Sequence, residues 1–331
     1  MIESHHVAII GAGPIGLELA VALKQAAIDY VQIDAGQIGS TIEWYPPQML
    51  FHSSSDRLAL ADMPIQTPNQ QKISREEFLA YLRAFVQHFG LTVRTYERVV
   101  KIDKLPGGGF ELQTTEDRIR AEILVLAIGA MHSPRLIGVP GEDLPHVSHY
   151  LGDPHKYFGK RLLIVGGRNS AVEAAIRCSR AGADVTISYR GQDFDPKVVK
   201  FWLLPEVRAL IRDGHVRFLP RTCVREIRKN TVLLDQEIAA DFVLLLTGYR
   251  QDPALFKMLG VTLKGDECAP VHDPATMETN VPGVFIAGTA VAGTPPRKVS
   301  VIVETCHVHV PRIVAAITGR RVALPDGALD D

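Results

Sequence analysis

Two glycine turns, each set between an apolar strand pattern and a helical one, constrain this chain more than any other feature. Gly11-Ala12-Gly13-Pro14-Ile15-Gly16 follows Val7-Ala8-Ile9-Ile10, and Gly166-Gly167-Arg168-Asn169-Ser170-Ala171 follows Leu162 to Val165. In such a turn the first glycine permits a tight bend, the second lets backbone approach a diphosphate, and the third lets the helix pack close to its strand. The helix N-terminus then offers free N–H groups and partial positive charge to the diphosphate. Each turn predicts a βαβ unit, and the pair predicts two bound dinucleotides.

The first unit continues into Tyr30-Val31-Gln32-Ile33-Asp34. Asp34 stands at a strand end, where a carboxylate can accept hydrogen bonds from ribose hydroxyls, and Gln37 follows in the same loop. In the second unit Arg168 occupies the middle-glycine position, so a guanidinium replaces close backbone approach with charge on the diphosphate. The counterpart of Asp34 falls at Arg190, after Val185 to Tyr189. An acid there favours NADH, whereas an arginine favours the 2′-phosphate of NADPH.

Helical spacing of Phe78, Leu79, Leu82, Phe85, Val86 and Phe89 predicts a helix over residues 75–89. Paired strands are predicted over 93–105 and 110–114 around Pro106-Gly107-Gly108-Gly109. Ile123 to Ala130, Asp241 to Tyr249 and Gly283 to Gly288 read as apolar strands ending at glycine. The fold class expected is α/β, with two Rossmann-like three-layer dinucleotide-binding domains, the second inserted in the first. Residues 1–150 and 276–331 form the discontinuous domain and 151–275 the insertion, with crossings placed in Pro140 to Pro154 and near Asp273-Pro274.

With 36 basic and 37 acidic residues spread along the chain the net charge is -1, which gives no basic stripe of the kind a nucleic-acid backbone requires, and no nucleic-acid partner is expected. No leader pattern opens the chain, and no apolar run reaches the roughly 18 residues of a membrane span. A cytoplasmic protein is expected. Cys178, Cys223, Cys268 and Cys306 form no CxxC and no metal-ligand spacing, so no metal is expected.

Further stretches carry a family likeness: Ile42-Glu43-Trp44-Tyr45-Pro46, Phe51-His52-Ser53-Ser54-Ser55, Gly138 to Pro145, Tyr189-Arg190-Gly191, Leu246-Thr247-Gly248-Tyr249 and Met277 to Gly288. With the glycine turns, they make the chain resemble the YpdA-type bacillithiol (bacilliredoxin) disulfide reductases among the thioredoxin reductase-like flavoproteins. The resemblance implies FAD in the split domain, NADPH in the inserted one, a homodimer, and reduction of a small-molecule disulfide. It implies flavin contacts at Gly11, Gly13, Pro14, Ile15, Gly16, Asp34, Gln37, Tyr45, His52, Val99, Ala127, Gly129, Gly288 and Thr289. It implies nicotinamide-cofactor contacts at Gly167, Arg168, Asn169, Ser170, Arg190 and Gly248. At Thr289 similar proteins often place an Asp that holds the ribitol chain, and a hydroxyl can still hydrogen-bond there.

The chain departs from the family at Ile15, where the pattern GxGPCG has a cysteine. An isoleucine forms no mixed disulfide, which leaves several electron routes. The flavin can reduce a small disulfide, a quinone or a one-electron carrier protein directly, as a ferredoxin or flavodoxin reductase would. Cys306 can substitute for the missing thiol, against an inert reading among Val299, Val301, Val303, Val308 and Val310. Oxygen chemistry is a third route, since His149-Tyr150, Pro154 and Phe158-Gly159-Lys160-Arg161 resemble a run in flavin monooxygenases. His307 and His309 are candidate proton donors near the flavin. A non-catalytic nucleotide- or redox-sensing flavoprotein is the alternative outside the enzymes.

Overall fold

The computed structural model describes residues 2–68, 70–294 and 301–319. They divide into two compact units, one holding the described residues up to 43, from 48 to 133 and from 250 onward, the other residues 44–47 and 134–249. The expected borders at 150 and 276 do not coincide with this division. Val147–Ser148 pairs in parallel with Phe242–Leu245, so the Pro- and Gly-rich stretch before residue 150 belongs to the sheet of the second unit. Residues after Arg250 return to the first unit, where helix Ala254–Leu259 packs on strand Val99–Lys104.

In the first unit, among the described residues, strands Tyr30–Ile33, Glu3–Ile10, Arg118–Leu126, Phe110–Thr114 and Val99–Lys104 follow one another across the sheet, and Val284–Ile286 also pairs with Arg118–Leu126. The long Arg118–Leu126 strand serves both neighbours on one edge. Its first half is antiparallel to Phe110–Thr114 and its second half parallel to Val284–Ile286. Register places Ile10 opposite Leu126 and Leu126 opposite Ile286. Three strands therefore end side by side, the edge at which open α/β sheets bind ligands.

Helix Pro14–Gln25 starts with Pro at its first position, where a missing N–H is harmless. It buries Leu17, Leu19, Ala20 and Leu23 with no exposed surface, each leucine contributing about 1.5–3 kcal/mol. Helix Arg75–His88 begins in a capping box. Ser74 Oγ accepts the Glu77 N–H, and the Glu77 carboxylate accepts the Ser74 N–H. The hairpin expected from residue 93 starts only at Val99, because the preceding backbone serves Asp34. The Asp34 N–H donates to the Arg94 carbonyl and the Glu97 N–H to the Asp34 carbonyl.

In the second unit, strands Val216–Pro220, Asp184–Tyr189, Arg161–Val165, Phe242–Leu245 and Val147–Ser148 form one parallel sheet in that order. Helix Asn169–Arg180 covers it with Ala171, Val172, Ala174, Ala175, Ile176 and Cys178. Glu226–Ile227, Thr231–Leu233 and Glu237–Ala239 make a separate antiparallel meander. No described helix is long and apolar enough to cross a membrane.

Candidate functional site

The first glycine turn separates glycines needed for folding from one that faces open space. A Cβ on Gly11, whose φ is +117°, would stand 2.3 Å from the Ala127 carbonyl oxygen, and one on Gly16 2.3 Å from the Gly11 oxygen. A Cβ on Gly13 would meet nothing within 4 Å. Gly13 caps the helix without a side-chain hydrogen bond, leaving the first-turn N–H groups to an anion. Asp34 Oδ2 accepts the Ala12 N–H at 2.6 Å and Oδ1 the Gly36 N–H at 2.8 Å. Burial pushes its carboxyl above the ordinary range against the pull of those amides, so hydroxyl donors at its remaining lone pairs would favour the ionised form. Gln37 is exposed beside it and accepts the Ile38 N–H. Val99 begins its strand two residues after Glu97, which binds the Asp34 carbonyl.

Ala127, Gly129, Gly288 and Thr289 follow the neighbouring strand ends. Ile15 is buried, and a Cβ on Gly288 would lie 3.4 Å from that of Ile15. Thr289 Oγ1 accepts the Ala130 N–H at 3.2 Å, which leaves the threonine a hydrogen to give. Two buried glutamines that the sequence reading did not single out tie these turns together. Gln32 Nε2 donates to the Gly11 carbonyl at 3.0 Å. Gln251 Nε2 donates to those of Gly129 at 3.0 Å and Ala290 at 2.8 Å. Gln32 carried a legible signal, a polar residue in the middle of a buried strand. Gln251 carried none.

Helix Val303–Cys306 packs on helix Pro14–Gln25 and on the Gly288–Ala292 turn. Cys306 closes this short helix, with none of its surface exposed. Val299 lies outside the described residues. His307 sits between Glu18 Oε2 at 2.8 Å and the Arg57 carbonyl at 3.1 Å, two acceptors that favour a proton on each ring nitrogen. Burial opposes the charge, yet the Glu18 carboxylate outweighs it and raises the pKa above the ordinary histidine value.

His309 is the opposite case. Its Nδ1 accepts the Gly288 N–H at 3.1 Å. Burial, then the charges of Arg312, His272 and His307, push its pKa from 6.5 down to about 4, so at neutral pH it has no acidic proton of an imidazolium to give. The unfolded chain protonates this histidine below its ordinary pKa while the folded protein does not. Stability linked to it is full above pH 6.5 and falls by about 3 kcal/mol towards pH 4. Asn at 309 offers an oxygen in place of Nδ1 and does not titrate. Urea unfolding at pH 7 and pH 4 should show a loss about 3 kcal/mol smaller in His309→Asn than in the wild type.

In the second unit the turn is built on the same close contacts. A Cβ on Gly166, at φ +144°, would lie 2.5 Å from the Leu246 oxygen. One on Gly167 would lie 2.5 Å from the Tyr189 ring, and one on Gly191 likewise. Both glycines therefore make room for that ring, which stacks on Phe194 at 6.2 Å. Arg168 caps helix Asn169–Arg180 and is exposed, as are Ser170 and Arg190. Among the described residues Arg190 makes no ion pair. The Asn169 amide serves the protein: Oδ1 accepts the Lys200 N–H at 2.8 Å and Nδ2 donates to the Val198 carbonyl at 3.2 Å. Gly248, at φ +98°, accepts the Arg135 N–H.

Tyr45, expected at the flavin, belongs by its contacts to the second unit, with Trp44, Tyr150 and Tyr249. Trp44 meets Tyr150 edge-on at 5.6 Å and Tyr150 lies 6.0 Å from Tyr249. Burial, with Tyr150 and Tyr45 adding to it, pushes the Tyr249 hydroxyl up to about 12, so that phenol stays uncharged. His52 is exposed in the first unit, its carbonyl accepting from Lys72. The Gly138 to Pro145 stretch is a structural corner. The Glu142 carboxylate accepts the Ile137 and Gly138 N–H groups, and a Cβ on Gly141 would lie 2.0 Å from the Ile227 oxygen. Burial pushes the Cys178 thiol up to about 12, which leaves it unreactive. Among the described residues no group of three His, Cys, Asp or Glu is placed to hold a metal ion.

Both turns fit a dinucleotide: an open Gly13 or exposed Arg168 at a helix N-terminus, and at the following strand end an acid, Asp34, or an arginine, Arg190, groups able to take a ribose or a 2′-phosphate. The family model for pyridine nucleotide-disulphide oxidoreductases matches residues 8–288. Bacilliredoxin reductase Bdr of Bacillus subtilis is 37% identical over 94% of this chain and 97% of its own length. A ferredoxin–NADP reductase of Ignicoccus hospitalis is 30% identical over 85% of this chain and 88% of its own. The solved structure of bacillithiol disulfide reductase Bdr (YpdA) from Bacillus cereus superposes with a TM-score of 0.90, at 34% identity, over 96% of this chain and 99% of that one.

Proposed function

The chain belongs to the pyridine nucleotide-disulphide oxidoreductase family, within its YpdA-type bacilliredoxin reductases, and from that premise we propose that it reduces a small-molecule disulfide of the bacillithiol type without a thiol of its own. It is an NAD(P)H-dependent flavin oxidoreductase whose cofactors are FAD and NADPH. When bound, this pair supplies a hydride source and a two-electron carrier. The helix N-terminus at Gly13, in a turn that Gly11 and Gly16 shape, would hold the flavin diphosphate, Asp34 its ribose, and Gly129, Gly288 and Thr289 its far end. In the second unit the backbone at Gly167 to Ser170 faces the NADPH diphosphate and Arg190 its 2′-phosphate. The enzyme works in the cytoplasm as a homodimer.

Ile15 carries the reading on the acceptor. It is buried against Gly288, so no sulfur stands at this turn to form a mixed disulfide. The candidate thiol, Cys306, has no exposed surface for a disulfide to reach. In balance, disulfide, NADPH and one proton give two thiols and NADP+, with no protein cysteine oxidised or reduced on the way. The ferredoxin–NADP reductase among its relatives favours one other reading, a one-electron carrier as acceptor. The test reduces the protein anaerobically with NADPH, removes excess cofactor, and mixes it with bacillithiol disulfide or with ferredoxin. Return of oxidised-flavin absorbance with the disulfide, at equal rates in the wild type and Cys306→Ser, is expected. Loss of that return in Cys306→Ser would restore a thiol route, and oxidation by ferredoxin alone would give the second reading.

A further inference from the structure

Asn169 opens the helix at the second glycine turn, where a diphosphate would meet free N–H groups, yet its side chain is turned to a neighbouring loop. Oδ1 takes the Lys200 N–H at 2.8 Å and Nδ2 gives to the Val198 carbonyl at 3.2 Å. This two-point latch fixes Lys200 within one side-chain length of the helix N-terminus. The acids of the loop are already engaged: Asp193 pairs with Arg208 at 2.9 Å, and Asp195 accepts the Lys197 N–H at 2.9 Å. Lys200 is exposed and makes no ion pair among the described residues. Its ammonium lies 5.8 Å from the centre of the Trp202 ring, a contact that tolerates a shift of the flexible stem towards an anion.

We propose that Lys200 is a phosphate-binding residue of the NADPH site, and that Asn169 is the positioning residue that holds it there. The proposal rests on the second unit being the one that holds NADPH. It assigns Lys200 to the diphosphate, which NADPH and NADH share, and so separates it from Arg190 at the 2′-phosphate. Lys200→Met keeps the stem and removes the charge from an exposed position, so the variant folds. It should raise KM about tenfold for both NADPH and NADH, with kcat little changed. Asn169→Ala should raise both in the same way, and the double variant should be no worse than either single change, because the residues act as one unit.

The readout independent of turnover is Trp202 fluorescence in a Trp44→Phe background, the chain having two tryptophans. NADP+ binding should change the emission, and Lys200→Met should shift the midpoint of that titration about tenfold. Unchanged KM and midpoint in Lys200→Met would overturn the proposal, as would independent, additive effects of the two substitutions. Wild-type protein that binds neither NADP+ nor NADPH would instead defeat the assignment of the second unit on which the proposal rests.

Discussion

Replacing Gly13 with valine should give a stably folded protein that is nearly colourless, while replacing Gly11 with only an alanine should damage the fold itself. Gly13 has φ -73° and ψ 178°, extended backbone open to any residue. Its missing Cβ would touch nothing, and it donates no side-chain cap, so the flavin-free variant should stay within about 1 kcal/mol of the wild type. What the valine fills is the approach to the helix N–H groups. Two methyl groups there hold a diphosphate off its donors, and FAD affinity should fall at least about a hundredfold. At Gly11 the added atom lands 2.3 Å from a backbone oxygen that also ends the neighbouring strand, at a φ of +117°. Neither can relax locally, and about 3 kcal/mol or more of stability should be lost. Urea unfolding of the flavin-free proteins and titration with FAD separate the two effects. Wild-type FAD content in Gly13→Val would remove the diphosphate from this turn.

Arg190→Glu should reverse the choice of nicotinamide cofactor. The Tyr189 ring is seated on Gly167 and Gly191, which fixes the strand end beside the glycine turn, and Arg221 binds the Gly191 carbonyl through its N–H at 3.0 Å. Arg190 is thus presented on a rigid base, exposed, with no acidic partner among the described residues. A charge-assisted contact to the 2′-phosphate is lost in the variant and a repulsion gained, so kcat/KM for NADPH should fall about a hundredfold or more. For NADH, which has no 2′-phosphate, it should change less than about threefold. A parallel loss with both cofactors would place Arg190 elsewhere in the site.

The glycine turns were legible in the sequence because their reasons are local. A positive φ at Gly11 and Gly166, and backbone passing where a Cβ would stand, can be met by hardly any other residue. Asp34 was legible for the same reason, being a polar residue at the end of a buried strand. The domain borders were not. Proline, glycine and histidine over 140–154 report turns, and turns occur equally in a linker and in the corner that Glu142 pins before the Val147–Ser148 strand joins its sheet. Asn169 is expected among the cofactor contacts, and nothing in its own stretch of sequence shows that its amide is committed to residues about thirty positions further on. The Gln251 role depends on carbonyls 122 and 39 residues away in sequence. His307 and His309, two residues apart, are shifted in opposite directions, because the Glu18 carboxylate outweighs burial at the first while burial, with the charge of Arg312 behind it, prevails at the second. Such pairings are set by topology, which no short window of sequence contains.

The most direct measurement is the visible spectrum of the purified protein under anaerobic conditions, before and after one equivalent of NADPH. A yellow protein is predicted, with close to one FAD per chain released on denaturation, and its absorbance should bleach faster with NADPH than with NADH. A colourless protein that takes up no FAD when titrated, or one whose colour NADPH leaves unchanged, would contradict the account at its centre.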